Sequence, residues 1–143
     1  MAYSRLSEAA KNGTSFAMEY TTTSVDGAKT VLEIAEEIGL KIKVGYACMD
    51  QGMDQIVPGL QVSSAEAIRD TSILLDTYGP EKVFACDRFL LAVSSKTRRP
   101  LAAIAAEEGT EYETHLDETY FRPPLDAAAD FSNDDFTLRT NAR

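Results

Sequence analysis

The spacing of apolar residues predicts that helices and strands alternate along the first half of the chain. "SRLSEAAKNG" (4–13) has the pattern of a short helix that ends at Asn12-Gly13, a common stop signal. In "SFAMEYTTT" (15–23) every second residue is apolar, which predicts a strand. From Ser24 to Leu40 apolar residues recur at helical spacing opposite charged ones, and Gly39 suits a helix end, so a helix is predicted.

The same alternation continues through the middle of the chain. "KIKVGYACM" (41–49) predicts a second strand, and the loop "DQGMDQIVPGLQ" follows it. Ser63 with Glu66 three residues later forms a capping box, which predicts a helix over 63–78 that Gly79-Pro80 ends. "KVFACD" (82–87) predicts a third strand.

Two interpretations are open for the stretch after Asp87. In the one we favour, "RFLLAVSS" and "LAAIAA" are strands joined by a "KTRRP" turn into a hairpin. In the other, "PLAAIAAEEG" is a helix, because alanine favours helices. With the hairpin, the order βαβαβββ predicts a single α/β domain over 1–109 with a mixed, partly parallel sheet.

Residues 110–143 are predicted to form an extended acidic arm. The formal net charge is −9, and ten acids against three arginines from Glu107 onward place −7 of it in the last quarter. This acidity argues against a nucleic-acid partner. Packing of the arm on its own domain and disorder remain open, but its scattered aromatics predict docking on a neighbouring subunit. The expected interface residues are Tyr120, Phe121, Phe131 and Phe136.

Nothing in the sequence predicts a membrane or secreted location. No apolar run approaches the ~18 residues of a membrane span. "MAYSRLSEAAKNG" lacks the apolar centre of a secretory signal. We therefore predict a cytoplasmic protein, or a component of a particle assembled inside the cell, without a membrane partner.

Two similar segments, "KVGYACMD" (43–50) and "KVFACDR" (82–88), indicate where chemistry can occur. If both strands run parallel, their ends meet at the carboxyl edge of the sheet, where open α/β sheets bind ligands. The candidate ligand-binding residues are Cys48, Asp50, Cys86, Asp87 and Arg88. A thiolate activated by Arg88, a Cu(I) site using sulfur atoms, and a small polar ligand are all compatible with this set. Cysteines that only fill a core are the simpler interpretation.

The numbers of cysteine and histidine residues limit which metal sites the chain can form. Two cysteines and one histidine exclude the common four-ligand zinc sites. The acidic segment "EYETHLDE" around His115 has groups that bind divalent cations, but a solvated acidic surface is favoured. We therefore predict no metal and no cofactor.

One segment carries a family resemblance. "VFACDRFLLAV", after an α/β unit that ends in "EEIGLKI", resembles the small subunit of diol and glycerol dehydratase reactivating factors. The segment "GYACMDQGMDQIVPGLQ" and the acidic arm depart from that family. The resemblance implies a compact α/β release chaperone that exchanges subunits.

The functional prediction is a non-catalytic subunit or assembly protein that acts through protein–protein contacts in a homo- or hetero-oligomer. The alternative is a small ligand-binding domain or thiol-dependent enzyme that uses the Cys48/Cys86 edge.

Overall fold

The structure is a computed structural model that describes residues 2–52, 58–89 and 91–115. Helices and strands alternate along these residues, and each strand is preceded by a helix. The elements are α1 (Ala2–Lys11), β1 (Phe16–Tyr20), α2 (Val25–Ile38), β2 (Lys41–Gly45), α3 (Ser64–Tyr78), β3 (Val83–Cys86), α4 (Ser95–Glu108) and β4 (Tyr112–Glu113). The predicted α/β class is confirmed.

The sheet has the simplest order available to parallel strands. Its strands lie side by side in chain order, β1-β2-β3-β4, and each neighbouring pair is parallel. Since crossover connections between parallel strands are right-handed, this order places the connecting helices on one face of the sheet. The strands curl into a half-barrel, with the repeated strand–helix units of a β/α barrel.

The predicted hairpin after Asp87 is wrong. Residues 95–108 form the helix α4, so the described order is α1 followed by βαβαβαβ instead of βαβαβββ. The predicted mixed sheet is replaced by a sheet in which all strand pairs of the described residues are parallel. Leu101, Ala102 and Ala105 explain the helix, because they bury a stripe at helical spacing.

Two side chains from outside α4 make hydrogen bonds that the first turns of this helix lack, because Ser94 does not cap the helix and Pro100 has no N–H group. Asp50, after β2, accepts hydrogen bonds from the backbone nitrogen of Ser94 (2.6 Å) and the hydroxyl of Thr97 (2.6 Å), and thereby caps the helix. Pro100 lies inside the helix and cannot donate to the carbonyl four residues earlier. The Ser64 hydroxyl of α3 donates to that carbonyl instead, on Lys96, at 3.2 Å.

The caps of the earlier helices follow the sequence signals. The Ser24 side chain accepts a hydrogen bond from the backbone of Gly27, and Gly39 ends α2 in the left-handed conformation with φ 80°. Ser63 and Glu66 form the expected capping box at the start of α3. Local side-chain chemistry therefore sets the bounds of both helices.

A continuous apolar core joins the helices to the sheet. Its members include Leu32, Val44, Leu74, Val83 and Leu101, all buried. On the other face of β2, Gly45 lets β3 approach closely. A Cβ atom there would lie 2.5 Å from both the Cys86 sulfur and an edge carbon of Phe84.

The sheet continues past residue 109, where the arm was predicted to start. β4 pairs with β3, with Ala85 opposite Tyr112 and Cys86 opposite Glu113. The four aromatic residues of the predicted interface lie outside the described residues, so docking of the arm stays a prediction. Among the described residues, no helix is long and apolar enough to cross a membrane.

Candidate active site

Three residues at the ends of β1, β3 and β4 lie at the carboxyl edge of the sheet. Tyr20 ends β1, Arg88 follows β3 and His115 follows β4. The Tyr20 ring packs against the His115 imidazole with 4.2 Å between ring centroids, and against Phe84 edge-to-face at 5.5 Å. All three side chains are half-buried, which suits groups that contact a ligand from one side.

The backbone of Arg88 fixes the imidazole of His115. The Nδ1 atom of His115 lies 2.8 Å from the carbonyl oxygen of Arg88. A carbonyl oxygen only accepts hydrogen bonds, so we assign the proton to Nδ1, which leaves the lone pair on Nε2. The backbone nitrogen of Arg88 in turn donates to the carbonyl of Cys48 at 3.1 Å, so β2, β3 and β4 are joined here.

The charge of Arg88 acts at the same edge. Burial raises the pKa of Tyr20, and the nearby Cys86, Glu113 and Asp87 raise it further, while Arg88 opposes them. The Tyr20 hydroxyl is therefore neutral at ordinary pH, and it lies in the field of the guanidinium.

Asp87 is a buried carboxylate directly behind this edge. It has no solvent-exposed surface, and its two oxygens accept hydrogen bonds from the hydroxyls of Tyr112 and Thr114, each at 2.5 Å. Burial raises the pKa of Asp87 more than these hydrogen bonds and the charges of Arg98 and His115 lower it.

The other residues predicted to bind a ligand have internal contacts. Asp50 caps α4, and Cys48 and Cys86 are both fully buried. Burial, followed by neighbouring negative charges, raises the pKa of both thiols, which does not suit a nucleophile. The Cys48 thiol instead donates to the carbonyl of Cys86 at 3.6 Å. Ligand binding by the five predicted residues remains a prediction, and within the set the structure places Arg88 beside His115.

Sequence reasoning missed Tyr20 and His115. His115 was assigned to the acidic arm, and Tyr20 to an ordinary strand. The order of the elements could have identified them. In a parallel sheet every strand ends at the same edge, so the residues at the ends of all strands belong to one candidate site. The short strand before His115 has little apolar pattern, which concealed its end.

Among the described residues, the side chains do not form a cluster that could hold a metal ion. No group of three or more histidine, cysteine, aspartate or glutamate side chains among them could hold a metal ion. His115 donates Nδ1–H to a backbone carbonyl, which is the arrangement typical of an imidazole that binds metal through its other nitrogen.

Sequence comparison relates the chain to guanine deaminases. The guanine deaminases of Homo sapiens and Rattus norvegicus are each 26% identical to it over 113 residues. The match covers 76% of this chain and 24% of those proteins, so the chain spans about a quarter of the length of these relatives. No protein-family model matches the sequence.

Solved structures share the fold. Guanine deaminase from C. acetobutylicum with bound guanine aligns with a TM-score of 0.73 at 22% identity, over 82% of this chain and 29% of that one. Atrazine chlorohydrolase from Arthrobacter aurescens TC1, complexed with zinc and atraton, aligns with a TM-score of 0.69 at 18% identity, over 89% and 30%. At these identities the two structures establish the fold.

These similarities correct the functional prediction. The similar proteins are hydrolytic enzymes, so the prediction of a non-catalytic subunit or assembly protein is wrong, as is the leaning towards a non-enzyme. The resemblance of "VFACDRFLLAV" to a reactivating factor rested on one strand and its continuation. In the structure, Val83–Cys86 of that stretch form β3.

Proposed function

We propose that this chain supplies part of the active site of a hydrolytic enzyme that removes an amino group from a planar nitrogen heterocycle such as guanine. The observation that carries the proposal is the contact of His115 with Arg88 at the carboxyl edge of a parallel sheet. Similarity to guanine deaminases over most of the chain supports this substrate class.

Arg88 has the chemistry to recognise the heterocycle. Its guanidinium is planar, permanently charged and carries only donors, which match the carbonyl oxygen and ring nitrogens of a purine. Tyr20 supplies a half-buried aromatic ring at the same edge, and the buried ring of Phe84 packs against it from within. A flat heterocycle held there can accept from Arg88 at one edge while its face lies against apolar surface.

His115 presents Nε2 as a lone-pair donor at the same edge. A zinc ion, which is bound in one of the similar structures, supplies a water of lowered pKa when present. His115 fits one ligand position of such a site, and the described residues hold no cluster that would complete it.

The proposed overall reaction is a hydrolysis. The oxygen of water bonds to the ring carbon that carries the amino group, and the carbon–nitrogen bond breaks. The amino nitrogen leaves as ammonia with one of the two water protons, and the other proton remains on a ring nitrogen of the keto product. In this reaction Arg88 binds and orients the ring, Tyr20 limits its movement, and the Arg88 carbonyl keeps the His115 lone pair directed at the site.

Guanine binding by the full chain tests the proposal. Arg88→Met should weaken binding by about tenfold to a hundredfold, because a hydrogen bond to a charged group contributes ~1.5–3 kcal/mol. Arg99→Met, which alters an exposed arginine on α4, is the matched control and should leave affinity unchanged. Calorimetry measures both, and a coupled assay for ammonia release with and without added Zn²⁺ tests turnover.

Two results would contradict the proposal. One is the absence of guanine binding by the folded chain in the presence of Zn²⁺. The other is an Arg88→Met variant that binds guanine as tightly as the unaltered chain.

A further inference from the structure

We infer that Asp87 is a positioning residue that fixes His115 against Arg88. No ligand-binding role is required of its side chain, which is fully buried behind the edge. The inference concerns how the chain holds its only histidine in place. The expected effect of Asp87 on guanine binding rests on the proposed function. The expected effect of Asp87 on the tautomer of the His115 imidazole does not.

The strand that leads to His115 is weakly held by its backbone. β4 has two residues. Two residues of β4 pair with β3, and the bonds that flank this pairing are Ala85 nitrogen to Glu111 oxygen at 3.0 Å and Asp87 nitrogen to Glu113 oxygen at 3.2 Å. So short a strand at the edge of a sheet gains much of its order from side chains.

The Asp87 carboxylate supplies that order. One oxygen accepts from Tyr112 and the other from Thr114, so the carboxylate holds β4 on both sides of Glu113. Hydrogen bonds to a carboxylate are stronger than those between neutral groups. The accepting carboxylate is fully buried, whereas the two donating residues are half-buried.

These bonds complete a closed ring of residues at the site. Asp87 is joined to Arg88 and Thr114 to His115 through the chain. The Thr114 hydroxyl bonds to Asp87, and the His115 imidazole bonds to the carbonyl of Arg88. With both links made, the imidazole can neither slide along β3 nor rotate away from it. Loss of the Asp87 link leaves the His115 imidazole on a strand that has lost two of its side-chain hydrogen bonds to β3.

The charge of the carboxylate is balanced from α4. Arg98 is buried there, and its charge favours the ionised form of Asp87. Removing one member of such a buried charge pair leaves the other member uncompensated, which destabilises the fold. Helix, two strands and site are therefore connected through this one side chain.

The test exploits the presence of a single histidine. Long-range ¹H–¹⁵N spectra of the imidazole report its tautomer and show one histidine, so no assignment is needed. We expect the Nδ1–H tautomer in the unaltered chain. Asp87→Ala should give a mixture of tautomers and weaken guanine binding at least tenfold. Asp87→Asn, which retains one acceptor oxygen, should lie between them.

Thr110→Val is the matched control. The Thr110 hydroxyl donates to the Val83 carbonyl at 2.7 Å, so it also ties β4 to β3, but at the end of the strands away from His115. We expect this variant to lose stability and to keep the tautomer of the unaltered chain. Thr114→Val removes one of the two bonds to Asp87 with little change of shape, and it replaces Asp87→Ala if that variant does not fold.

Two outcomes would overturn the inference. In the first, folded Asp87→Ala, or Thr114→Val in its place, keeps the Nδ1–H spectrum of the unaltered chain. In the second, Thr110→Val changes the tautomer as much as the Asp87 variants do, which would show that any loosening of β4 has this effect. The spectra are recorded without ligand, so failure of the proposed function, which is seen as a lack of guanine binding, is a separate result.

Discussion

Gly45→Ala should destabilise the sheet directly beneath the candidate site. The added methyl carbon would lie 2.5 Å from the Cys86 sulfur and 2.5 and 2.6 Å from two ring carbons of Phe84. Favourable carbon–carbon contacts lie at ~3.5–4.0 Å, so β3 or the ring must move by about 1 Å. Phe84 is fully buried and cannot turn towards solvent.

The expected cost follows from two opposing effects. Overpacking of this kind costs ~1–3 kcal/mol. Replacing glycine lowers the entropy of the unfolded chain, which returns ~0.4–1 kcal/mol. The net loss of about 1–2 kcal/mol corresponds to a fall in Tm of about 4–8 °C, at about 4 °C per kcal/mol for a domain of this size.

Thermal unfolding followed by circular dichroism measures this loss, with Gly27→Ala as the control. There the new methyl would lie 2.7 Å from the Thr22 hydroxyl oxygen, a group that can rotate away, and alanine favours the helix by ~1 kcal/mol. We expect little change for Gly27→Ala. If Gly45→Ala is as stable as the unaltered chain, the close packing of β2 on β3 described above is refuted.

Three further predictions concern other contacts. Ser64→Ala should lower the free energy of unfolding by ~1 kcal/mol, because it removes the hydrogen bond to the Lys96 carbonyl. The loss should be smaller in a Pro100→Ala background, where the backbone nitrogen of residue 100 can donate to that carbonyl. Urea unfolding of the double-mutant cycle measures the coupling, and equal losses in both backgrounds would show that Ser64 does not compensate for Pro100. Although burial opposes it, hydrogen bonds from the start of α4 hold the pKa of Asp50 below its usual value, so the stability it contributes is present above about pH 4 and lost below it. Asp50→Asn should therefore show a smaller fall in unfolding free energy between pH 6 and pH 3, and an unchanged fall would count against the cap. Finally, Cys48 and Cys86 should react with a small electrophile only on unfolding; rapid labelling of the native protein would contradict their burial.

Local sequence signals predicted the first three quarters of the fold. The caps at Ser24 and Ser63 are contacts between residues a few positions apart, so they can be recognised in the sequence. A helix over "PLAAIAAEEG" was the alternative that we did not favour, and the start of α4 before it has no local signal, because it depends on Asp50 and its proline is tolerated through Ser64, both distant in the chain. The hairpin prediction failed because "KTRRP" has the local pattern of a turn.

Of the candidate site, the sequence predicted Arg88 but not Tyr20 or His115. Arg88 follows a strand with a clear apolar pattern, so the edge it occupies was identified. His115 follows a two-residue strand that exists through pairing with β3, a long-range contact without a local signature. The cysteines, which were the most conspicuous shared feature of the two similar segments, are buried. Their likeness reflects two neighbouring strands that fill the same interior.

The sequential order of the strands also has a consequence for how the protein folds. Every strand pairs with the strand before it in the chain, so the sheet can grow from β1 to β4 in the order of synthesis. Each addition joins two strands that are separated in the chain by one helix, so no described strand pairs only with a strand from a distant part of the chain. In that order of growth, β4 joins last, and the contact of His115 with Arg88, on which the proposed chemistry depends, is made after the rest of the described sheet.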